Sequence, residues 1–131
     1  MYTHILVCYD ESANGERAIK EAVKIARDTT RITLLHVIPT KSVGIEIGAE
    51  KVSATEYYLN KLKAFTTYHE NIEPLILAGN VSKVILNHLV SNQYDLVVIG
   101  ARGLGGLSKR LFGSVSSQIL SESNLPVLLV K

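Results

Sequence analysis

The sequence predicts an α/β fold: a doubly wound, five-stranded parallel sheet of order 3-2-1-4-5 with helices on both faces, a Rossmann-like arrangement. Two observations predict this class. Short apolar runs alternate with longer stretches of helical periodicity along the 131 residues. In addition, runs such as Leu96–Ile99 and Val127–Val130 are apolar without interruption. Strands that are apolar on both faces are typical of a parallel sheet covered by helices on each side.

The apolar runs rich in β-branched residues are the predicted strands. They cover Tyr2–Tyr9, Arg31–Ile38, Ile72–Ala78, Asp95–Gly100 and Val127–Val130. The chain contains no recognisable linker or internal repeat, so we expect a single domain over residues 1–131 with right-handed crossovers between the strands.

The first two predicted helices are identified by apolar side chains at helical spacing. In the first helix these are Ala18, Ala22, Ile25 and Ala26. The second helix covers about Ala49–His69 and has, on one side, Tyr58, Leu62 and Phe65. Both patterns predict amphipathic helices whose apolar stripe faces the sheet.

The other two helices are identified by where they begin. Asn80 is the predicted N-cap of the third helix, and Ser114 begins the fourth. Between the second strand and the second helix, the segment Thr40–Gly48 follows a proline and contains two glycines. We interpret it as a connecting loop, and a lid over a site is the alternative.

Composition excludes several functional classes. Hydrophobic residues make up 47% of the chain and charged residues 20%, as in ordinary globular proteins. A net charge of +2 argues against a nucleic-acid partner. Cys8 is the single cysteine, so no internal disulfide forms and a reducing compartment is expected. Since no run approaches 18 apolar residues, we expect a cytoplasmic protein without membrane insertion.

A glycine-rich segment follows the fourth strand, from Gly100 to the serines at Ser114 and Ser117. Glycines allow backbone N–H groups to approach an anion closely, and the N-terminus of the following helix adds unpaired donors and a partial positive charge. Lys109 and Arg110 lie in the same segment and add to the positive field. The pattern therefore predicts phosphate binding.

Spacing rules out several known phosphate motifs. No glycine is followed by Lys-Ser or Lys-Thr, as a Walker A loop requires. The dinucleotide fingerprint belongs after the first strand, where the chain instead has the acidic pair Asp10 and Glu11, which would also repel a flavin phosphate. A receiver domain needs an aspartate at the end of its third strand, and here that strand ends at Ala78 before Gly79.

In the predicted strand order, the first and fourth strands are neighbours and their crossovers diverge to opposite faces. Ligands of open parallel sheets bind at such a switch point, outside the carboxyl ends of the strands. Asp10 and the loop that begins at Gly100 would flank that crevice. The loop would hold an anion, while the carboxylate would hold a ribose hydroxyl or a hydrated Mg²⁺. The alternative is a purely structural turn in which Asp10, or Ser12, caps the first helix.

Over essentially its whole length the chain resembles the universal stress protein family. The ATP-binding branch has the pattern Gly-x2-Gly-x9-Gly-Ser/Thr, which is matched here by Gly100, Gly103, Gly113 and Ser114. The first strand with its terminal aspartate, Ile5–Asp10, and the second strand, Leu34–Ile38, are also similar to those of the family.

The resemblance implies a bound ATP, with Mg²⁺ held through water by Asp10. The base and ribose would lie against Cys8, Tyr9, Asp10 and the backbone at Val37. The ribose and phosphates would be wrapped by Gly100, Ala101, Arg102, Gly103, Leu104, Gly105 and Gly106, with Arg102 either a phosphate partner or a solvated side chain. The phosphate tail would take N–H and hydroxyl donors from the segment after Gly113, namely Ser114, Val115 and Ser116.

Three residues depart from the family pattern. Glu11 stands where a glycine is common after the aspartate, which would stiffen the turn. Cys8 and Tyr9 also differ from the residues often found there, which would alter the fit of the base.

The resemblance also implies a homodimer. Val127–Val130 would form an apolar sheet edge that tends to be paired or covered, and antiparallel pairing with the same strand of a second copy would solve this. The interface would be formed by Val127, Leu128, Leu129 and Val130. A covering loop is the alternative.

We therefore expect an ATP-binding, nucleotide-dependent sensor or regulator of stress adaptation with weak or no hydrolysis. The alternatives are a nucleotide-independent dimeric module that regulates an unidentified protein partner, and a small hydrolase that uses Asp10 and Mg²⁺. Structural or surface roles are expected for the four histidines: His36 lies in a buried strand, His88 lies on the inner stripe of the third helix, and His4 and His69 stand apart. With no His/Cys cluster we expect no zinc site.

Overall fold

The computed structural model describes residues 1–40, 49–101 and 114–131, with the side chains of residues 49–53 excepted. Strands and helices alternate along the chain. In order they are β1 (His4–Cys8), α1 (Ala13–Ile25), β2 (Arg31–Pro39), α2 (Ala49–Lys63), a 3₁₀ helix (Ala64–Tyr68), β3 (Ile72–Gly79), α3 (Val81–Ser91), β4 (Leu96–Gly100), α4 (Ser114–Glu122) and β5 (Val127–Val130).

The strands form one five-stranded sheet of order β3-β2-β1-β4-β5, and every neighbouring pair is parallel. This confirms the fold class and the strand order predicted above. It also places β1 at the centre of the sheet, with Cys8 opposite Leu35 of β2 on one side and opposite Ile99 of β4 on the other. Strand β5 lies at an edge, as predicted.

Two hydrophobic cores lie on opposite faces of the sheet because successive strand residues point to opposite sides. In β1, Ile5 and Val7 belong to the core that contains Ala18 and Ile19 of α1 and Leu62 of α2. Leu6 and Cys8 belong to the other core, which contains Ile85 of α3 and Ile119 of α4. Helices α1 and α2 therefore cover one face, and α3 and α4 cover the other.

Two details of the helices correct the sequence prediction. Ile25, assigned to the buried stripe of the first helix, is 40% exposed, because α1 ends there and the chain turns away. The buried stripe is formed instead by Gly15, Ala18, Ile19 and Ala22. The second helix is not one α-helix to His69: it changes to 3₁₀ geometry after Lys63 and ends at Tyr68.

Capping hydrogen bonds confirm Asn80 as the predicted start of α3 and identify Ser12, rather than Asp10, as the cap of α1. The Ser12 hydroxyl oxygen accepts from the Gly15 N–H at the start of α1 (2.9 Å). The Asn80 side chain accepts from the Lys83 N–H at the start of α3 (3.1 Å). Each cap satisfies a backbone donor that the first turn of a helix leaves unpaired.

Candidate functional site

The carboxyl ends of β1 and β4 lie side by side at the point where the strand order reverses. Cys8 and Ile99 are register partners, so the residues that leave the two strands, from Tyr9 and from Gly100, begin at neighbouring positions. The helix after β1 crosses one face of the sheet and the helix after β4 crosses the other. This divergence leaves a crevice between the two strand ends, the usual ligand position in open parallel sheets.

The turn from β1 into α1 presents the Asp10 carboxylate at this crevice. Asp10 is exposed, and its Oδ1 accepts hydrogen bonds from the Ser12 N–H (3.0 Å) and the Ser12 hydroxyl (2.5 Å). Ser12 is the N-cap of α1. The carboxylate thus orients the residue that begins the helix while lying at the surface of the site.

Glu11 adopts a left-handed backbone conformation, with φ at 71°. This conformation is costly for any residue with a Cβ and is easily adopted by glycine, which explains why the family pattern has glycine at this place. The Glu11 Oε2 atom forms an ion pair with the Lys61 Nζ atom of α2 at 2.9 Å. The hydrogen bond with Glu11 is the largest of the effects that raise the pKa of the Lys61 ammonium, so Lys61 is charged near neutral pH.

Gly100 lets the start of α1 lie directly against the end of β4. A Cβ added at Gly100 would come within 2.9 Å of the carbonyl carbon and the Cβ of Asn14. No real side chain tolerates such a distance without movement of the backbone. Gly15 has a similar role on the other side of the turn, where an added Cβ would lie 3.0 Å from the Asp10 Oδ1 atom. The two glycines fix the close approach of the Asp10 turn to β4.

Two hydrogen bonds hold the residues on either side of the glycine-rich segment in place. The Ala101 N–H donates to the Val130 carbonyl (2.7 Å), which extends the β4–β5 ladder past Gly100. The Ser116 hydroxyl donates to the Ala101 carbonyl (3.3 Å), and Ser116 is 3% exposed. Ser114, the first residue of α4, is exposed. The N-terminus of α4 is therefore held close to the end of β4.

His36 connects the end of β2 with both β1 and α2. Its Nδ1 atom lies 2.9 Å from the Tyr9 carbonyl oxygen and donates to it, and its ring stacks on Tyr58 with centroids 4.0 Å apart. The His36 side chain is buried, and its Nε2 atom has no hydrogen-bond partner among the residues that the structure describes. With Nδ1 carrying the proton, Nε2 is an acceptor.

The predicted residues on the base side are buried except for Asp10. Cys8, Tyr9 and Val37 are each less than a tenth exposed. Burial, and to a smaller extent the Asp10 carboxylate, raises the pKa of the Cys8 thiol to about 12. Cys8 is therefore a neutral thiol at pH 7, without the thiolate character that nucleophilic cysteines need.

Part of the predicted site lies outside the described residues. The predicted residues concerned are Arg102, Gly103, Leu104, Gly105, Gly106 and Gly113. The predicted loop Thr40–Gly48 also lies outside them apart from Thr40. Over the described parts of the chain, no group of three or more His, Cys, Asp or Glu side chains is arranged to hold a metal ion. The same residues contain no helix with the length and apolar character needed to cross a bilayer.

Sequence reasoning missed several residues that shape this site. Asn14 is set against Gly100, and Lys61 reaches Glu11 from a different helix. His36 was assigned only a structural or surface place, without its bond to Tyr9. The one available signal was Glu11 at a position where the family has glycine, since an unexpected residue in a left-handed turn points to a compensating contact. Nothing in the sequence identified Lys61 as that contact.

Comparisons with known proteins agree with this architecture. The model described as "Universal stress protein family" matches residues 1–131. Universal stress protein YxiE of Bacillus subtilis is 27% identical over 148 aligned residues, covering 100% of both chains. The solved structure of MJ0577 from Methanocaldococcus jannaschii is 28% identical, with a TM-score of 0.88 over 100% of this chain and 96% of its own.

A universal stress protein from Archaeoglobus fulgidus, solved in complex with dAMP, has the same fold. It is 23% identical, with a TM-score of 0.74 over 99% of this chain and 98% of its own.

Proposed function

This chain belongs to the universal stress protein family, and on that premise we propose that it binds ATP and acts as a nucleotide-dependent sensor or regulator in stress adaptation. The observation that carries the proposal is the placement of the Asp10 turn beside Gly100 at the switch point of the sheet. An acidic side chain and the first glycine of a phosphate-type motif follow neighbouring strand ends at the switch point, where ligands of open parallel sheets usually bind, and this supports a site for a ribose and its phosphates.

The phosphate end of the proposed site rests on the segment that leads into α4. The motif Gly100-x2-Gly103-x9-Gly113-Ser114 ends where α4 begins. The first N–H groups of a helix lack internal partners and favour an anion. We propose that the backbone N–H groups at Ser114, Val115 and Ser116 and the Ser114 hydroxyl contact the phosphates. The Ser116 hydroxyl instead holds Ala101, the residue after Gly100.

Two observations support the proposed position of the base: the burial of nearby residues and a structural relative solved with a nucleotide. Cys8 and Val37 lie in the core on one face of the sheet and Tyr9 in the core on the other, and all three are largely buried toward the carboxyl ends of β1 and β2. We propose that a purine ring lies against this apolar end of the two strands. The A. fulgidus protein was solved with dAMP, which favours adenine over other bases for this chain as well. The residues from Ala101 to Gly106 would then wrap the ribose and phosphates, as the resemblance implies.

We propose that Asp10 holds a hydrated Mg²⁺ ion beside the phosphates. Its carboxylate is exposed, and carboxylate oxygens together with water are the ligands that Mg²⁺ prefers. When bound, Mg²⁺ would neutralise phosphate charge. We expect hydrolysis to be slow or absent, because Glu11 is paired with Lys61 and the proposed role of Asp10 is to hold hydrated Mg²⁺ rather than to activate water.

The proposed assembly is a cytoplasmic homodimer joined through β5. This edge strand has one neighbour in the sheet, β4, and Val127, Leu128 and Leu129 are half-buried without a second copy. Pairing with the β5 strand of a second chain would satisfy its outward backbone groups and cover these side chains. A further protein partner, whose state the nucleotide controls, completes the proposed regulatory role.

The direct test is the affinity of the Asp10→Asn variant for ATP in the presence of Mg²⁺. Asparagine retains the size of the side chain and an oxygen that accepts from Ser12, but it removes the charge. We expect the affinity to fall about 10- to 100-fold, the usual effect of losing a hydrogen bond to a charged group. Isothermal titration calorimetry measures it, and the loss is expected to be smaller without Mg²⁺.

The matched control is Asp28→Asn. Asp28 is also an exposed aspartate, but it follows the C-terminal end of α1, at the opposite end of the sheet from Asp10. It is expected to bind ATP as the unchanged chain does. Failure of the unchanged protein to bind ATP at millimolar concentration with Mg²⁺ would refute the proposed function. Equal affinity of the Asp10→Asn variant would refute only the role of Asp10.

A further inference from the structure

The β1–α1 turn is unusual because it combines backbone strain with a contact to a distant helix. Glu11 has a φ of 71° and follows Asp10 directly. A residue with a Cβ is less stable in this conformation than glycine is. Such strain persists only where surrounding contacts hold the residue in place. The Glu11 carboxylate forms such a contact, with Lys61 at 2.9 Å.

On the α2 side, Lys61 is held by more than one group. Its Nζ atom lies 5.3 Å from the centroid of the Tyr57 ring, and Tyr57 packs edge-on against Tyr58 (5.0 Å). The Lys61 and Glu11 side chains are 42% and 31% exposed, so water only partly surrounds the pair. The ammonium therefore has a preferred position on α2, from which it reaches the turn.

A second, buried contact connects the same two elements. Tyr58 of α2 stacks on His36, and His36 donates to the carbonyl of Tyr9, two residues before Glu11. Residues 9–11 are thus connected to α2 at two points, one buried through His36 and one at the surface through Lys61. Asp10 lies between these two points.

We propose that the Glu11–Lys61 ion pair is a strap that couples helix α2 to the nucleotide site, with Glu11 and Lys61 acting as positioning residues for Asp10. This inference rests on the proposed function and adds a route of regulation to it. A nucleotide that orders the Asp10 turn also orders α2, and a partner that displaces α2 weakens nucleotide binding by the same factor. The surface of α2 around the exposed Tyr57 is where such a displacement would be sensed.

The size of the coupling has an upper limit. A ligand shifts a conformational equilibrium only by its difference in affinity for the two states. The coupling through a half-exposed ion pair cannot exceed the strength of the pair itself. Exposed pairs typically correspond to a factor of about 1.5 to 5 in an equilibrium constant, so we expect effects of this order on nucleotide affinity.

The test compares backbone hydrogen exchange in residues 54–63 of α2 with and without saturating ATP and Mg²⁺. Glu11→Gly removes the carboxylate and suits the left-handed turn, so it separates the ion pair from the turn conformation. Lys61→Met removes the charge from the α2 side and retains an unbranched side chain over Tyr57. Lys24→Met is the matched control, because Lys24 forms an equally short ion pair with Glu21 (2.9 Å) within α1.

In the unchanged protein and in the Lys24→Met control, we expect ATP to slow exchange across residues 54–63. In the Glu11→Gly and Lys61→Met variants, this effect on α2 is expected to decrease, since the contact through His36 remains, while ATP still slows exchange in the turn. ATP affinity should fall about 2- to 5-fold in each of the two variants. Because both remove one ion pair, the double variant should show no further loss. Far-UV circular dichroism confirms that each variant is folded.

The results that would contradict the strap can be distinguished from the result that would contradict the proposed function. An undiminished ATP effect on α2 in both variants would overturn the strap, because the coupling would then run through other residues. ATP binding to the unchanged protein without any effect on α2 would overturn it as well. No ATP binding by the unchanged protein would overturn the proposed function, and the strap with it.

Discussion

At the scale of single residues, the site depends on positions where a side chain is missing or the backbone is strained. Gly100 lacks the Cβ that would collide with Asn14, so α1 begins directly beside the end of β4. Glu11 retains a Cβ in a conformation that favours glycine, and Lys61 pairs with its carboxylate. His36 holds the Tyr9 carbonyl from the neighbouring strand. Each of these residues acts on the position of the Asp10 turn.

The close approach at Gly100 predicts the effect of adding one methyl group there. In Gly100→Ala the new Cβ would lie 2.9 Å from backbone and side-chain atoms of Asn14, so α1 or β4 must shift. Overpacking of this kind costs about 1–3 kcal/mol in the free energy of unfolding. Urea denaturation measures the loss.

Ser117→Ala is the control for this measurement, because Ser117 is an exposed position on α4, near the same end of β4. Its effect is expected to stay within about 0.5 kcal/mol, as at most surface sites. A Gly100→Ala variant as stable as the control would show that the contact with Asn14 is not needed.

At the scale of elements, each helix start and strand end contributes one part of the site. Strand β1 supplies the turn with Asp10, β4 supplies Gly100, and α4 begins at Ser114 after the glycine-rich segment. Helix α2 is connected to this site through Lys61 and Tyr58. Strand β5 has another role, since it is an edge strand whose one neighbour among the described strands is β4.

The geometry of β5 allows a test of the proposed dimer that leaves the β4–β5 ladder intact. The Pro126 carbonyl accepts a hydrogen bond from the Val97 N–H of β4, and the Val130 carbonyl accepts one from the Ala101 N–H just after β4. Because alternate residues face opposite sides of a strand, the N–H groups of Val127 and Leu129 point to the open edge. Val127→Pro removes one outward N–H and is expected to shift the protein to a monomer in analytical ultracentrifugation.

Val127→Ala is the matched control, because it shortens the same side chain but retains the N–H. It is expected to remain dimeric. If the proline and alanine variants have the same mass in solution, the two chains do not pair through the backbone of β5. A monomeric unchanged protein would exclude the homodimer altogether.

At the scale of the whole molecule, the two ends of the sheet have different chemistry. The carboxyl end has the candidate site, whereas the amino end has an aromatic and polar cluster of His4, Tyr94 and His88. The Tyr94 ring lies 4.2 Å from the His4 ring, and its hydroxyl is 2.7 Å from the Nε2 atom of His88. Through Tyr94, which precedes β4, the cluster connects His4 of β1 with His88 of α3. Its contacts therefore contribute to the stability of the fold.

This cluster predicts how stability depends on pH. Burial lowers the pKa of His4 and of His88 below the usual 6.5. Arg31 lowers the pKa of His4 further, while the Gln93 carbonyl, Asp95 and Glu73 act against the shift. The unfolded chain therefore binds protons at a higher pH than the folded one. The stabilisation is complete above pH 6.5 and is lost as the pH falls through the lower pKa values of the folded state.

Urea denaturation at about pH 7.5 and about pH 5.5 measures this effect, because the window includes the titration of histidine and excludes most carboxylates. The midpoint is expected to be lower at the acidic pH, and the difference should shrink in the double variant His4→Gln, His88→Gln. His69→Gln, which changes a histidine outside the cluster, serves as the control. A double variant with the full pH difference would contradict the prediction.

Much of the fold was determined by the sequence alone, because burial leaves a local pattern. Uninterrupted apolar runs such as Leu96–Ile99 indicated strands covered on both faces, and helical spacing with the caps Ser12 and Asn80 indicated the helices between them. The motif from Gly100 to Ser114 indicated the proposed phosphate end of the site because its residues are close together in the chain, so their spacing can be read from the sequence.

Only the tertiary structure decided the contacts between residues that are distant in the chain. Periodicity placed Ile25 in the core, but α1 ends there and leaves it 40% exposed. The pairing of Glu11 with Lys61, the approach of Asn14 to Gly100 and the bond from His36 to Tyr9 join different elements. Such contacts depend on how helices and strands pack in three dimensions, and no local pattern in the sequence records that packing.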